Sequence, residues 1–257
     1  MSKLASKDKF LDLSDYGRPL AVWFAQQLKF TRFTPIHVTL LFGAVGLGAI
    51  YFILTSQYFL AGVFLILKSI IDAADGELSR VKNTPSYTGR YLDSIFDIVL
   101  NFLVLSTICY VSTTTFPYML LAFVAIQLQG TLYNYYYVIL RNNSVGADTT
   151  SQIFEHDTIP KAFPYESQTA VTILFTIYSF CYRLFDQSIY LFDKKACQVK
   201  RFPNWFMTCV SIYGLGFQLL LIAIMLSLNL INWIIPFLIG YSLFIGVFIG
   251  VRKKWIG

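Results

Sequence analysis

Charged residues are scarce in this sequence: Asp, Glu, Lys and Arg together make up 13% of its 257 residues, whereas a typical soluble domain has about 25%. The four cysteines lack the CxxC spacing of metal and redox motifs, which argues against a zinc site or a disulfide framework. Hydrophobic residues, by contrast, account for 56%. This composition is typical of a membrane protein. No segment resembles a nucleic-acid-binding module, so we expect no nucleic-acid partner.

Six apolar stretches approach the roughly 20 residues that a membrane-spanning helix needs. They are Val38–Leu54, Phe59–Leu78, Tyr91–Val111, Pro117–Leu140, Trp205–Leu228 and Trp233–Val251. The chain is therefore expected to be an all-α, polytopic, integral membrane protein with six transmembrane helices, folded as one domain over residues 1–257.

Lysine and arginine are confined to alternate connections between these spans. The links after the first, third and fifth spans contain none, and every Lys and Arg except Lys68 lies in the segments on the other side. By the positive-inside rule, both termini and the link between the second and third spans face the cytoplasm. The same rule argues against a seventh span at 169–192, because a crossing there would move a basic cluster to the outside.

Two further segments flank the spans. Residues 1–33 form a cytoplasmic or interfacial N-terminal segment, in which an amphipathic interfacial helix is predicted at Pro19–Leu28. Residues 141–204 form a cytoplasmic insertion between spans four and five. This insertion consists of a polar loop, Asn142–Gln168, followed by a cytoplasmic or interfacial helix.

Four aspartates lie at the inner ends of the second and third spans, where each carboxylate costs roughly 2.5–3.5 kcal/mol if it sits at membrane depth. Asp72 and Asp75 are three residues apart, and Asp93 and Asp97 are four apart, so each pair lies on one face of its helix. A tight turn around Pro85 would bring the two pairs together. Carboxylate oxygens favour Mg²⁺, Mn²⁺ or Ca²⁺, and four carboxylates are enough for two ions about 4 Å apart.

Small and basic residues accompany the aspartates. Gly76 and Gly89 leave helix faces without side chains, so that a ligand can approach the backbone. Arg80 could hold a diphosphate by bidentate hydrogen bonds, and Ser79 and Ser86 are small donors nearby. These residues together predict a divalent-metal site that binds a diphosphate ligand from the cytoplasm.

The pattern Asp72-x2-Asp75-Gly76-x2-Ser79-Arg80-x8-Gly89-x3-Asp93-x3-Asp97 resembles the signature of the CDP-alcohol phosphotransferase (phosphatidyltransferase) family. The one departure is Ser79, where the family usually has alanine. The stretch Thr34-Pro35-Ile36-His37-Val38-Thr39 is similar to a second family element, although Ile36 replaces the usual asparagine.

The resemblance implies a role for each matching residue. Asp72, Asp75, Asp93 and Asp97 would ligate Mg²⁺ or Mn²⁺, with two ions expected, and Asp97 would also act as the catalytic general base. The CDP moiety would bind to Gly76, Ser79, Arg80, Ser86, Gly89, Pro35 and Thr39. The resemblance also implies a homodimer.

The predicted function is therefore phospholipid synthesis. A substituted phosphate group would pass from a CDP-linked donor to the hydroxyl of an acceptor alcohol, with release of CMP, and CDP-diacylglycerol is the favoured donor. One alternative is an aminoalcohol phosphotransferase of the CDP-choline or CDP-ethanolamine type, acting on diacylglycerol. A polytopic membrane transporter is the alternative of another class, because intramembrane acids also mark ion pathways.

Overall fold

A computed structural model describes residue 4 and the ranges 8–144 and 158–256. Within these ranges the chain is helical and contains no strand, which confirms the all-α prediction. The α-helices are α1 (Arg18–Leu28), α2 (Pro35–Leu54), α3 (Tyr58–Lys82), α4 (Tyr87–Val111), α5 (Phe116–Asn143), α6 (Gln168–Phe192), α7 (Asn204–Val210), α8 (Leu215–Ser227), α9 (Ile231–Tyr241) and α10 (Phe244–Trp255). Much of the predicted polar loop, residues 145–157, lies outside the described ranges.

Several of these helices are long and apolar enough to cross a membrane, so the chain is an integral membrane protein. In the described part of the chain, four qualify: α2, α4, α5 and the α9–α10 run Ile231–Trp255. A fifth is added if α7 and α8, which meet at a 52° bend, count as one span. The bend arises because Gly214 is extended (φ −64°, ψ 147°) and interrupts the helix. The sequence predicted an unbroken span there.

Helix α3 has the same length as α4, 25 residues, but it is not among these candidate spans. The reason is visible in its sequence, because Lys68, Asp72, Asp75 and Glu77 lower its hydropathy. Its apolar half nevertheless packs in the main hydrophobic core, which lies between α2, α3, α4, α5, α8 and α9. At Gly62, a Cβ atom would lie 2.8 Å from the carbonyl oxygen of Ala223, so α3 and α8 approach too closely for any side chain there.

The connection between α3 and α4 is the tight turn that the sequence predicted. Asn83 ends α3 in the left-handed conformation (φ 54°), and the amide of Thr84 donates to the Ser79 carbonyl at 3.0 Å. The side chain of Ser86 then caps α4 by accepting from the amide of Gly89 at 2.8 Å. With only four residues between the two helices, their facing ends are held side by side.

The predicted N-terminal helix is present as α1 and packs on α3. Ala21 and Ala25 are fully buried against Ala74 and Leu78. Leu20 and Trp23, on the predicted apolar face, are 57% and 60% exposed. An apolar surface of this kind is compatible with a position at the membrane interface, which stays a prediction.

A buried ion pair joins the segment that follows α6 to the C-terminal helix. Asp193, just after α6, contacts Arg252 of α10, and both residues are 1% exposed. The same carboxylate accepts from the Arg252 Nε atom at 2.7 Å and from the Tyr136 hydroxyl at 2.8 Å. This cluster therefore joins α5, the residue that follows α6, and α10.

We predict that Asp193→Asn destabilises the protein by about 3–5 kcal/mol, because it leaves the buried Arg252 charge without its partner. Adding Arg252→Met removes that charge, and the double variant should recover part of the loss. Thermal unfolding in detergent measures both effects. A double variant that is less stable than Asp193→Asn alone would contradict this interpretation.

Candidate functional site

Three of the four aspartates meet in one cluster. Asp72 and Asp75 come from α3 and Asp93 comes from α4, and one carboxylate oxygen from each lies within 4.8 Å of the others. The helical spacing and the short α3–α4 turn produce this arrangement directly. Three carboxylates at such distances repel one another, and a bound divalent cation would offset that repulsion.

The surroundings of the cluster fit a cation. Asp75 is 8% exposed and accepts from the Thr39 hydroxyl at 2.7 Å. One oxygen of Asp93 is buried and has no hydrogen-bond partner among the described residues. A buried carboxylate oxygen without a partner is costly, and a metal ligand bond would satisfy it. Hard oxygen donors alone favour Mg²⁺ or Mn²⁺ over zinc or copper.

Asp97 borders the same cavity but is held by a different charge. Lys68 of α3 is 1% exposed, and its ammonium group contacts Asp97. The same group lies 3.8 Å from Asp72 and 4.9 Å from the centre of the Phe42 ring. Asp72 lies one turn away on the same helix, but the carboxylate nearer to Lys68 is that of Asp97 on the neighbouring helix. Lys68 therefore links α3 to α4 beside the aspartate cluster.

All of the predicted site residues line one cavity of about 520 Å³. The structure places Pro35 and Thr39 of α2 in its lining, together with Gly76, Ser79, Arg80, Ser86, Gly89 and the four aspartates. At Gly76, an added Cβ would stand 3.6 Å from the Arg80 guanidinium. Residues that are scattered over 63 positions of the sequence (35 to 97) thus share one space.

A glutamate at the edge of this site is buried, although acidic residues are mostly exposed in proteins. Glu77 is only 1% exposed. Its carboxylate contacts Arg18 of α1 and lies 2.8 Å from the Arg80 guanidinium. Arg80 is therefore oriented by Glu77, while the guanidinium still borders the cavity. The spacing from Glu77 to Arg80 allowed this pair, but only the packing of α1 against α3 explains why Glu77 is buried.

Glu166 is the site residue that sequence reasoning missed. Its carboxylate accepts from the Ser86 hydroxyl at 2.7 Å and from the Thr88 and Tyr87 amides at 2.7 and 3.2 Å, at the start of α4. Nearby, the Phe163 ring stacks on Tyr87 with 5.2 Å between centroids. The 158–167 segment thereby covers the turn that carries Ser86. No local pattern pointed to Glu166, because its partners are about 80 residues away.

The acidity of Glu166 reflects these contacts. Burial alone would raise its pKa, but the hydrogen bonds from Ser86 and from the Thr88 and Tyr87 amides outweigh that effect and hold the pKa below its ordinary value. The charged carboxylate also lies at the amino end of α4, where the helix dipole favours it.

We predict that Glu166→Gln lowers stability at pH 7 by about 1 kcal/mol, allowing for solvent screening. Because the pKa of Glu166 is lower in the folded protein than in the unfolded chain, its ionised carboxylate stabilises the fold above the ordinary Glu pKa of about 4.3. This stabilisation is lost as the pH falls through the folded-state pKa. The difference between wild type and variant should therefore shrink from pH 7 to pH 3 in thermal unfolding. A difference that stays constant over this range would contradict the assignment.

Comparison with known proteins agrees with this geometry. A search of curated proteins gave no match. The family model for CDP-alcohol phosphatidyltransferase matches residues 32–239, which is most of the 257-residue chain and includes every predicted site residue. The resemblance drawn from the sequence is confirmed, and the chain belongs to the CDP-alcohol phosphatidyltransferase family.

Proposed function

We propose that this protein transfers a phosphatidyl group from CDP-diacylglycerol to the hydroxyl of an acceptor alcohol and releases CMP. Membership of the family supports transfer from a CDP-alcohol. The observation that carries the proposal is the carboxylate cluster of Asp72, Asp75 and Asp93, which shares a cavity with Asp97 and Arg80. A diphosphate and its attacking alcohol need this combination of cation ligands, base and guanidinium.

The membrane arrangement is part of the proposal. Helix α3 would cross the membrane together with the four apolar helices and the bent α7–α8 pair, which gives six spans. Because the basic residues border the same ends of these spans, the active site and both termini would face the cytoplasm. We also propose that the enzyme is a homodimer, as the family resemblance implies.

Asp72, Asp75 and Asp93 would hold Mg²⁺ or Mn²⁺, with Asp97 completing the ligand set, and two ions remain our proposal. Bound metal would neutralise charge on the diphosphate during transfer. Arg80, fixed by Glu77 at 2.8 Å, would bind a diphosphate oxygen. Gly76 and Gly89 would leave room for the CDP moiety against α3 and α4. Pro35, Thr39, Ser79 and Ser86 line the same space and would complete the CDP pocket.

Asp97 would act as the general base. It takes the proton from the acceptor hydroxyl, the alcohol oxygen forms a bond to the β-phosphorus, and the bond from that phosphorus to the CMP oxygen breaks. The bonding electrons and the negative charge leave with CMP. Lys68, in contact with Asp97, would hold the carboxylate in place and offset its charge at membrane depth.

We predict that Asp97→Asn reduces CMP release by about 10²–10⁴-fold, the usual contribution of a general base. The assay uses purified protein with Mg²⁺, CDP-diacylglycerol and a panel of alcohols. Asp8→Asn is the matched control, since Asp8 is 4% exposed and accepts from Ser144 at 2.8 Å but does not border the cavity.

Asp97→Asn activity above a few per cent of wild type would reject Asp97 as the base. Release of CMP only from CDP-choline or CDP-ethanolamine with diacylglycerol would assign the aminoalcohol reaction instead. If no CDP-alcohol yields CMP in the wild-type protein, the proposed function is wrong, and a transport role becomes the alternative to test.

A further inference from the structure

The lining of the cavity extends beyond the aspartates to residues of α4, α5 and α8, and we call this part of the cavity the lobe. Its lining there is polar although it lies among membrane-length helices, and it includes Asn101, Gln127, Thr131, Asn134 and Gln218. Asn101, Gln127 and Thr131 are 8%, 7% and 6% exposed. Buried amides and hydroxyls at this depth are unfavourable unless they have hydrogen-bond partners.

The lobe adjoins the proposed base. Asn101 follows Asp97 by four residues on α4, and therefore lies on the same helix face one turn further along. On α5, Gln127, Thr131 and Asn134 are spaced by four and then three residues, so they form one polar face. These two faces border the same cavity. A molecule held between them would present a hydroxyl beside Asp97.

The polar side chains of the lobe are not all explained by hydrogen bonds within the protein, as Gln127 shows. Its Nε2 atom is buried and has no hydrogen-bond partner among the residues that the structure describes. The neighbouring Gln129 provides the contrast, because its Nε2 atom donates to the Leu238 carbonyl at 3.0 Å and its Oε1 atom accepts from Gln218 at 3.0 Å. Gln129 is thus a satisfied structural glutamine, whereas Gln127 presents an unused donor to the cavity.

The charges around the lobe indicate what kind of ligand it takes. Among the described residues that line the cavity, the cations are Arg80, Arg90 and Arg141. Arg80 and Arg90 lie on the aspartate side, and Arg141 is seven residues beyond Asn134, about 10 Å along the helix axis. The other carboxylates in the described lining are Asp12, Asp15 and Asp186, and each has a partner. Asp12 accepts from the Tyr133 hydroxyl at 2.5 Å and from the Ser14 amide at 3.0 Å, Asp15 contacts Arg18, and Asp186 is also engaged in an interaction.

We propose that this lobe binds the acceptor alcohol and that the acceptor is a small, uncharged, polyhydroxylated alcohol. Amide and hydroxyl groups match the donors and acceptors of such a molecule. The phosphate of a phosphorylated acceptor would find no cationic side chain next to the side-chain amides of the lobe. The ammonium group of an amino alcohol would find no carboxylate there that lacks a partner. The inference rests on the proposed function, since it takes Asp97 as the group that activates the acceptor.

The test compares acceptor classes with one donor. CMP release from CDP-diacylglycerol is measured with neutral polyols (glycerol, inositol), with their phosphorylated forms (glycerol 3-phosphate, inositol 1-phosphate) and with amino alcohols (serine, ethanolamine, choline). We expect a neutral polyol to support release at least tenfold faster than members of the other two classes. Preference for a phosphorylated or amino alcohol, or for diacylglycerol with CDP-choline, overturns the inference but leaves the family reaction. Absence of release with every pair overturns the proposed function itself.

Two variants locate the acceptor in the lobe. Gln127→Leu keeps the side-chain size but removes the unused donor, so the KM for the polyol should rise about tenfold, the effect of one lost hydrogen bond. The KM for CDP-diacylglycerol and the melting temperature should stay unchanged. Gln129→Leu is the matched control, and it should lower the melting temperature and leave the polyol KM as in wild type.

An unchanged polyol KM in Gln127→Leu, or an equal rise in the KM values of both substrates, contradicts the placement of the acceptor. If Gln127→Leu does not fold, the acceptor comparison in the wild-type protein still decides the class of alcohol.

Discussion

The mutual repulsion of carboxylates at the ends of α3 and α4 is the constraint on which the rest of the site depends. At 4 Å and an effective dielectric constant near 20, two such charges repel by about 4 kcal/mol. The fold nevertheless holds Asp72, Asp75 and Asp93 within 4.8 Å of one another. The α3–α4 turn, the close contact of α3 with α8 at Gly62 and the cap on α4 all maintain this arrangement. A structure that keeps such a cluster together has to offset its charge.

The protein offsets part of the charge with its own residues and leaves the rest to a ligand. Lys68 contacts Asp97, and Thr39 donates to Asp75. Arg18 and Arg80 instead pair with the buried Glu77. The Asp93 oxygen keeps no hydrogen-bond partner within the described ranges. Asp72, Asp75 and Asp93 are therefore the carboxylates whose charge a bound cation would have to offset.

Much of this site could be predicted from the sequence because its determinants are local. The spacing from Asp72 to Asp97 combines two helix faces with a short turn, and the helical repeat then fixes which side chains face one another. The apolar stretches likewise predicted α2, α4 and α5. The apolar stretch Phe59–Leu78 is helical as predicted and lies within α3, whereas its crossing of the membrane stays a prediction.

The remaining features depend on contacts between distant segments. Glu166 reaches Ser86 across 80 positions, and Glu77 is buried because α1 packs on α3. Lys68 could reach a carboxylate on its own helix or on the next, and only the packing of α3 against α4 selects Asp97. The break between α7 and α8 follows from one backbone conformation at Gly214, which hydropathy does not reveal.

The most direct measurement of the central claim is anomalous diffraction from crystals of the protein grown with Mn²⁺. Manganese should give a peak among the carboxylate oxygens of Asp72, Asp75 and Asp93, at the 2.0–2.2 Å distances that small divalent cations make to oxygen, and the peak should vanish in Asp93→Asn. A peak located elsewhere, or one that persists in Asp93→Asn, would contradict the claim that these three aspartates hold the metal.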